Sequence, residues 1–198
     1  QGYPNLEYIV IDGGSTDATV ARARSAGAKV LRSPPGRARQ QNAGAVAARA
    51  DILLFLHADT LLPAGWQDEV FLALLDGAAV GGGFLFDTDW SRPVLRAARF
   101  LVGLRTIYRR EPWGDQALFV RREAFHALGG FPRVAIAEDR DFVRTLRRHG
   151  RVVPVRRHIL TSSRRWHRVG VLRGFAVNSL IVLGCYLDVS RHRLRKLY

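Results

Sequence analysis

The sequence predicts an α/β fold in which a mainly parallel central sheet is flanked by helices. Three observations carry that reading. β-rich stretches alternate with stretches of helical periodicity along most of the chain, the pattern of strands joined by crossover helices. The run ILLFL at 52–56 is apolar at every position, which suits a strand covered on both faces. Finally, DGGSTD, HAD and GGGFLFD fall at strand ends or in the turns beyond them, where open α/β sheets hold their ligands.

The elements follow in order. LEYIVI (6–11) is β-rich and runs into DGGSTD, where Ser15 or Thr16 can cap a helix that continues to about Ala26 and stops at Gly27. A short strand, AKVLR (28–32), precedes the break Pro34-Pro35-Gly36, and residues 37–49 read as an Ala-rich helix. The apolar strand leads to His57, Ala58, Asp59 and Thr60. After Pro63 come a helix, WQDEVFLALL, and a Gly-punctuated strand, AAVGGGFLFD (78–87). Residues 92–110 carry apolar side chains at helical spacing with Arg on the other face. QALFV is a further strand, followed by a helical turn and the break GGFP (129–132). EDRDFVRTLRRHG (138–150) is an amphipathic helix, and RVVPV begins another strand. No repeat or linker interrupts the chain before about residue 168, so residues 1–168 read as one domain. Residues 169–187 are strongly apolar but contain Arg173 and Asn178, and a basic tail completes a separate piece, 169–198. An interior Arg is costly in a spanning helix, so this piece is expected to pack on the domain or lie at a membrane surface.

Composition narrows the partners. The 198 residues include 31 Lys and Arg against 17 Asp and Glu, a net charge of +14. That balance points to phosphorylated substrates, polyanions or an acidic membrane surface. Nucleic acid is not expected, because the basic residues sit within helix and strand patterns and form no known binding module. The single Cys185 excludes an internal disulfide and a thiolate metal cluster. A reducing compartment fits, hence the cytoplasm, with the inner face of the membrane as the alternative. No secretion leader is visible, Met is absent and the sequence begins at Gln1, so a longer product is expected.

Three groups could carry chemistry. In DGGSTD, Asp12 can accept from a base or ribose, while Gly13 and Gly14 let the backbone turn tightly before Ser15. A plain strand-to-helix turn explains the same residues, and the group is neither G-x-G-x-x-G nor a P-loop. In HAD, the Asp59 carboxylate and the His57 imidazole suit a divalent metal shared with substrate phosphates, or simply cap a strand. In AEDRDF, Glu138, Asp139 and Asp141 stabilise a helix start electrostatically, and a carboxylate there can also take a proton from an attacking hydroxyl.

Spacing then links them. IVIDGGSTDAT, GRARQQNAG, FLHADT, GDQALFVRREAFHALGGFP, AEDRDF and SSRRW, in that order over roughly residues 5–166, resemble family 2 glycosyltransferases of the GT-A fold. More narrowly, they resemble a bacterial subgroup marked by DGGSTD, GRARQ-x-NAG and LHADT. The resemblance implies that the acidic pair contacting the nucleotide base falls on Asp12 and Gly13, so the second acid is absent. It puts the A-R-N-x-G signature on Gln40, Gln41, Asn42, Ala43 and Gly44, leaving Arg37 and Arg39 to supply positive charge toward the diphosphate. The D-x-D metal motif falls on His57, Ala58 and Asp59, with Mg²⁺ or Mn²⁺ as the implied ion. Glu138 and Asp139 match the E-D pair, Asp139 as the base of an inverting transfer and Glu138 as its alternative. Trp113, Gly114 and Asp115, with Gly82 and Gly83, match loops around the acceptor and sugar. Q-x-x-R-W falls on Ser162 to Trp166; Arg165 would face the leaving diphosphate and Trp166 offers a flat apolar face. The family's first strand and the helix after it normally precede the segment equivalent to residues 5–12, and both are expected to be missing.

The implied activity is metal-assisted sugar transfer from a nucleotide-diphosphate donor to a hydroxyl acceptor. A lipid-linked acceptor, peripheral membrane contact and a homodimer stay open. The rivals are a sugar-nucleotide pyrophosphorylase-like enzyme, which would want a Gly-rich phosphate loop, and a non-catalytic basic scaffold that binds membrane or polyanion.

Overall fold

A computed structural model describes residues 6–90, 92–187 and 189–197. The order is β1 (Ile9–Asp12), α1 (Thr19–Ser25), β2 (Lys29–Arg32), α2 (Arg37–Ala47), β3 (Ile52–Phe55), β4 (Thr60–Leu61), α3 (Trp66–Leu74), β5 (Ala79–Thr88) and α4 (Pro93–Arg109). A 3₁₀ turn (Gly114–Gln116) leads to β6 (Leu118–Arg121), α5 (Arg122–Ala127), α6 (Glu138–His149), β7 (Arg151–Thr161), α7 (Arg164–Val169), α8 (Val171–Tyr186) and α9 (Arg191–Arg195).

The expected mainly parallel arrangement is met in part. β1 and β2 form a two-stranded parallel sheet, and the rest form a five-stranded sheet in the order β3-β6-β5-β7-β4. Within the larger sheet only β5–β7 is parallel; β3–β6, β5–β6 and β4–β7 are antiparallel. The reason lies in α4. It does not act as a crossover, because the chain after it returns beside the middle of β5, where Gln116 Nε2 donates to the Phe84 carbonyl at 2.8 Å. β6 therefore enters the sheet running against β5. Strand-helix alternation alone cannot distinguish that return from a crossover.

Apolar alternation explains the layering. On β3 and β6, Leu53, Phe55, Leu118 and Val120 pack with Ala45 of α2, Phe125 of α5 and Phe142, Val143 and Leu146 of α6. Ile52, Leu54 and Phe119 point the other way, into a cluster with Val70 and Leu74 of α3. Both faces of these strands are thus covered, which is why ILLF is apolar throughout. Helix α1 begins later than its predicted cap. Ser15 is not the cap but donates its N–H to Asp12 Oδ1 (2.9 Å), and Asp17 accepts from the Thr19 N–H at 3.0 Å. Near the C-terminus Ile181, Cys185 and Leu194 pack with Ile136.

Among the described residues no strand pairs the outer edges of β1 and β3, though the Ile11 carbonyl accepts from Gln40 Nε2 at 2.9 Å. Lys29 N donates to Tyr8 O and Ser33 N to Asp12 O, so in the parallel ladder the backbone groups of Ile9 and Ile11 point away from β2. Arg122 N donates to Asp51 O, which makes Leu53 and Phe55 the hydrogen-bonded positions and turns Ile52 and Leu54 away from β6. Both edges open onto one cavity of about 1500 Å³, lined by small α2 residues (Gly44, Ala45, Ala48) and by Trp66, Val70 and Phe71 of α3.

Candidate active site

The same cavity extends past the carboxyl end of β3. β3 stops at Phe55, and residues 56–59 form a turn before β4. Thr60 N closes it on His57 O at 3.1 Å. The Asp59 carbonyl accepts from Ser162 N at 2.9 Å, so the turn is pinned to the segment entering α7. Beneath it, Thr60 and Thr161 join hydroxyls at 3.0 Å in a buried contact. Asp59 is exposed, His57 half-buried, and both line the cavity.

Across the cavity stands the first turn of α6. Asp139 Oδ2 accepts from Gly114 N at 2.7 Å, and Oδ1 accepts from Arg140 N at 2.8 Å. Two backbone donors therefore set its orientation, while the carboxylate still borders the cavity. Glu138 behaves differently. It is 3% exposed, pairs with Arg37 Nε at 3.0 Å, and is not part of the cavity lining. Burial raises its pKa above the usual carboxylate range, against the pull of Arg37.

Asp115 and Trp113 reach the cavity from the 3₁₀ turn. Burial raises the Asp115 pKa, opposed by the Arg105 charge, and its Oδ1 is buried without a hydrogen-bond partner. Arg105 lies 3.6 Å from the Trp113 ring centroid and donates to Gln116 Oε1 at 2.6 Å. Neither Arg105 nor Gln116 stood out in the sequence, since an Arg inside an Arg-studded helix carries no signal of its own. Gln41 was also missed as a contact. It lines the cavity, and its Oε1 is buried and unpartnered.

The other expected residues divide. Trp166 and Arg37 line the cavity, whereas the Arg165 side chain lies outside the described residues. Asp12 is 3% exposed, its carboxylate held below the usual pKa range by hydrogen bonds from Ser15, with Oδ2 buried and unpartnered. Gly14 has φ +107°, a left-handed backbone that Gly alone adopts freely, and Gly13 abuts the Gln40 amide. Asn42 is a correction: both halves of its amide bond the Phe131 backbone, each at 2.9 Å, so it ties α2 to the GGFP turn instead of facing a donor. Arg39 is exposed and does not line the cavity. Gly82 and Gly83 also lie off it, buried in β5, where a Cβ would strike Val153 O and Phe119 at the first and Pro112 at the second. Packing, not a sugar, requires those glycines.

Residues 1–127 match the model of glycosyl transferase family 2. The chain belongs to that family. PcManGT, a mannosyltransferase from Pyrobaculum calidifontis solved with GDP-Man and Mn²⁺, aligns at TM-score 0.63 and 21% identity over 91% of this chain and 55% of its own. S. aureus TarS aligns at TM-score 0.59 and 17% identity, over 96% of this chain and 39% of its own. Glucosyl-3-phosphoglycerate synthase from Mycobacterium tuberculosis, solved with Mn²⁺, UDP and glucosyl-3-phosphoglycerate, aligns at TM-score 0.52 and 23% identity, over 77% of this chain and 59% of its own. This family 2 chain therefore has the GT-A fold, and it spans about half the length of the mannosyltransferase it resembles. No curated protein sequence matches it.

Proposed function

We propose that this chain is the donor-binding and catalytic part of a glycosyltransferase that moves a sugar from a nucleoside-diphosphate donor to a hydroxyl. The supporting observation is the convergence of Arg37, His57, Asp59, Asp115, Asp139 and Trp166 on one cavity in a family 2 chain. Asp139 is the base: it borders the cavity in a fixed orientation, while Glu138 is withdrawn into its ion pair with Arg37. As the acceptor hydroxyl attacks the anomeric carbon, Asp139 takes its proton and the nucleoside diphosphate leaves with the bonding electrons, inverting the centre. Arg37, and Arg165 from the SSRRW segment, supply positive charge to that leaving group.

Among the described residues no three His, Cys, Asp or Glu side chains gather as a self-contained metal site. One exposed carboxylate beside one imidazole still fits Mg²⁺ or Mn²⁺ of the kind held jointly by protein, water and phosphate. Asp59 and His57 would hold it, and when bound it offsets charge on the departing diphosphate. Thermal melts with Mn²⁺ and a panel of UDP- and GDP-sugars test this. Stabilisation of about 3 kcal/mol is expected at a hundredfold excess over Kd. Asp59→Ala should remove the Mn²⁺-dependent part and leave the ligand-free melt unchanged; a full shift in the variant would refute the metal assignment.

The slot between β1 and β3 supports the expected missing strand. One extended segment, apolar on both faces, would bond Ile9 and the Ile11 N–H on one side, the Ile11 carbonyl already accepting from Gln40, and Ile52 and Leu54 on the other, joining the two sheets. In the 198-residue chain the amides of Ile9, Ile11, Ile52 and Leu54 are expected to exchange hydrogen fast beside protected Val10 and Leu53. Protection of all six would mean that no strand is wanted there.

A further inference from the structure

Helix α8 has two working faces. Its inner residues Asn178, Ile181, Val182 and Cys185 form one wall of the cavity that Asp139 also borders. Its outer residues Arg173, Ala176, Leu180, Leu183 and Leu187 follow the three-four spacing of a single stripe, and all are exposed. Leu180 is 52% exposed, Leu183 53% and Leu187 67%. Among the described residues nothing covers this stripe. At its C-terminal end Tyr186, 49% exposed, accepts from Arg109 Nη2 at 3.0 Å, which brings up Tyr108 of α4, itself 78% exposed.

The surroundings are cationic. Residues 163–198 hold eight Arg or Lys against one Asp, so about half of the chain's +14 lies in this last segment. Arg164 and Arg168 of α7, and His192, Arg193, Arg195 and Lys196 around α9, are exposed, while Leu194 is buried beneath them. Apolar residues on a helix flanked in the chain by exposed cations complement a surface that is apolar below and anionic above. Among the described residues no helix is long and apolar enough to cross a membrane, and the 16 residues of α8 would reach only about 24 Å. A second copy is a poor occupant. An isologous contact through this face would bring two strongly cationic segments together.

We propose that the outer stripe of α8, with α9, docks peripherally on an anionic lipid surface. Because the other face of α8 walls the cavity, docking brings the cavity to the depth of the headgroups. A hydroxyl or phosphate head carried on a lipid can then approach Asp139 along the apolar α8 wall. The acceptor class that follows, a lipid-linked one, rests on the glycosyltransferase reading of the cavity; the docking face does not.

Vesicle sedimentation separates the two. The 198-residue chain should bind phosphatidylcholine vesicles carrying about one-third phosphatidylglycerol, bind pure phosphatidylcholine vesicles at least tenfold more weakly, and detach as salt screens the charge. The triple variant Leu180→Ser, Leu183→Ser, Leu187→Ser and the double variant Arg193→Glu, Arg195→Glu should each cut partitioning roughly tenfold or more with the melting temperature unchanged. Equal binding to both vesicle types would overturn the proposal. So would an unaffected triple variant, or a concentration-dependent dimer that the triple variant abolishes. Stabilisation by a nucleotide sugar belongs to the cavity and should be the same in all three proteins, so failure of either reading shows separately.

Discussion

Asp139→Asn is expected to lower sugar transfer by about two to four orders of magnitude while leaving donor affinity nearly unchanged. The amide keeps the shape of the carboxylate and can still accept from the Gly114 and Arg140 N–H groups, so the first turn of α6 should stay in place. What it loses is the capacity to take the acceptor's proton. Donor affinity, read from nucleotide-sugar thermal shifts, should stay close to the parent because the diphosphate is assigned to Arg37, Arg165 and the Asp59 turn. Single-turnover transfer should fall. Equal loss of affinity and turnover would show Asp139 to be a donor-binding residue, and unchanged turnover would move the base elsewhere, with Asp115 the next carboxylate on the cavity. Glu138→Gln provides the contrast. It removes a buried ion-pair partner of Arg37, so its effect should appear in stability at least as much as in turnover.

Gly82→Ala should be the most damaging single methyl that can be added to the sheet. Gly82 is buried where β5 lies between β6 and β7, paired with Phe119 on one side and Val153 on the other. An added Cβ would overlap the Val153 carbonyl and come within 2.5 Å of the Phe119 ring, and Phe119 is itself fully buried. A backbone carbonyl in a central strand cannot step aside as the tip of a flexible side chain would. The expected loss is about 3 kcal/mol or more, at the upper end for overpacking. For a domain of this size that lowers Tm by roughly 6–12 °C. Gly103→Ala is the control, because that α4 position has open space around its Cβ and should be neutral or slightly stabilised. A Gly82→Ala protein melting with the parent would refute the packing account of this glycine.

The slot and the α8 stripe share one physical feature, unpartnered surface that a folded chain does not leave to water without cause. At β1 and β3, among the described residues, backbone N–H and C=O groups other than the Ile11 carbonyl, which Gln40 bonds, face no strand, and only another strand satisfies such groups in quantity. On α8 the unmet surface is hydrocarbon within a cationic frame, which suits lipid. The two surfaces therefore ask for different occupants, and separate measurements address them.

The order and type of most elements could be read directly from the residues. Apolar spacing, Gly and Pro punctuation and acids at helix starts are local, and local chemistry survives into the fold at α2, α3, α4 and α6. Motif order likewise sufficed for the family, since six short groups in sequence are specific where each alone is not. Strand direction was not legible, because the chain between β5 and β6 has helical periodicity whether it crosses over or turns back. Nor was the fate of polar side chains. Asn42 and Gln41 are neighbours in one motif, yet folding commits Asn42 to the Phe131 backbone and leaves a Gln41 oxygen on the cavity. Glu138 and Asp139 are likewise adjacent, and only the helix phase turns one into an ion pair and the other toward the cavity. The amino-acid sequence by itself determined which residues could do chemistry and along which elements they lie. Only the tertiary structure decided which of them meet, because hydrogen-bond partners and burial are set by segments distant in the chain.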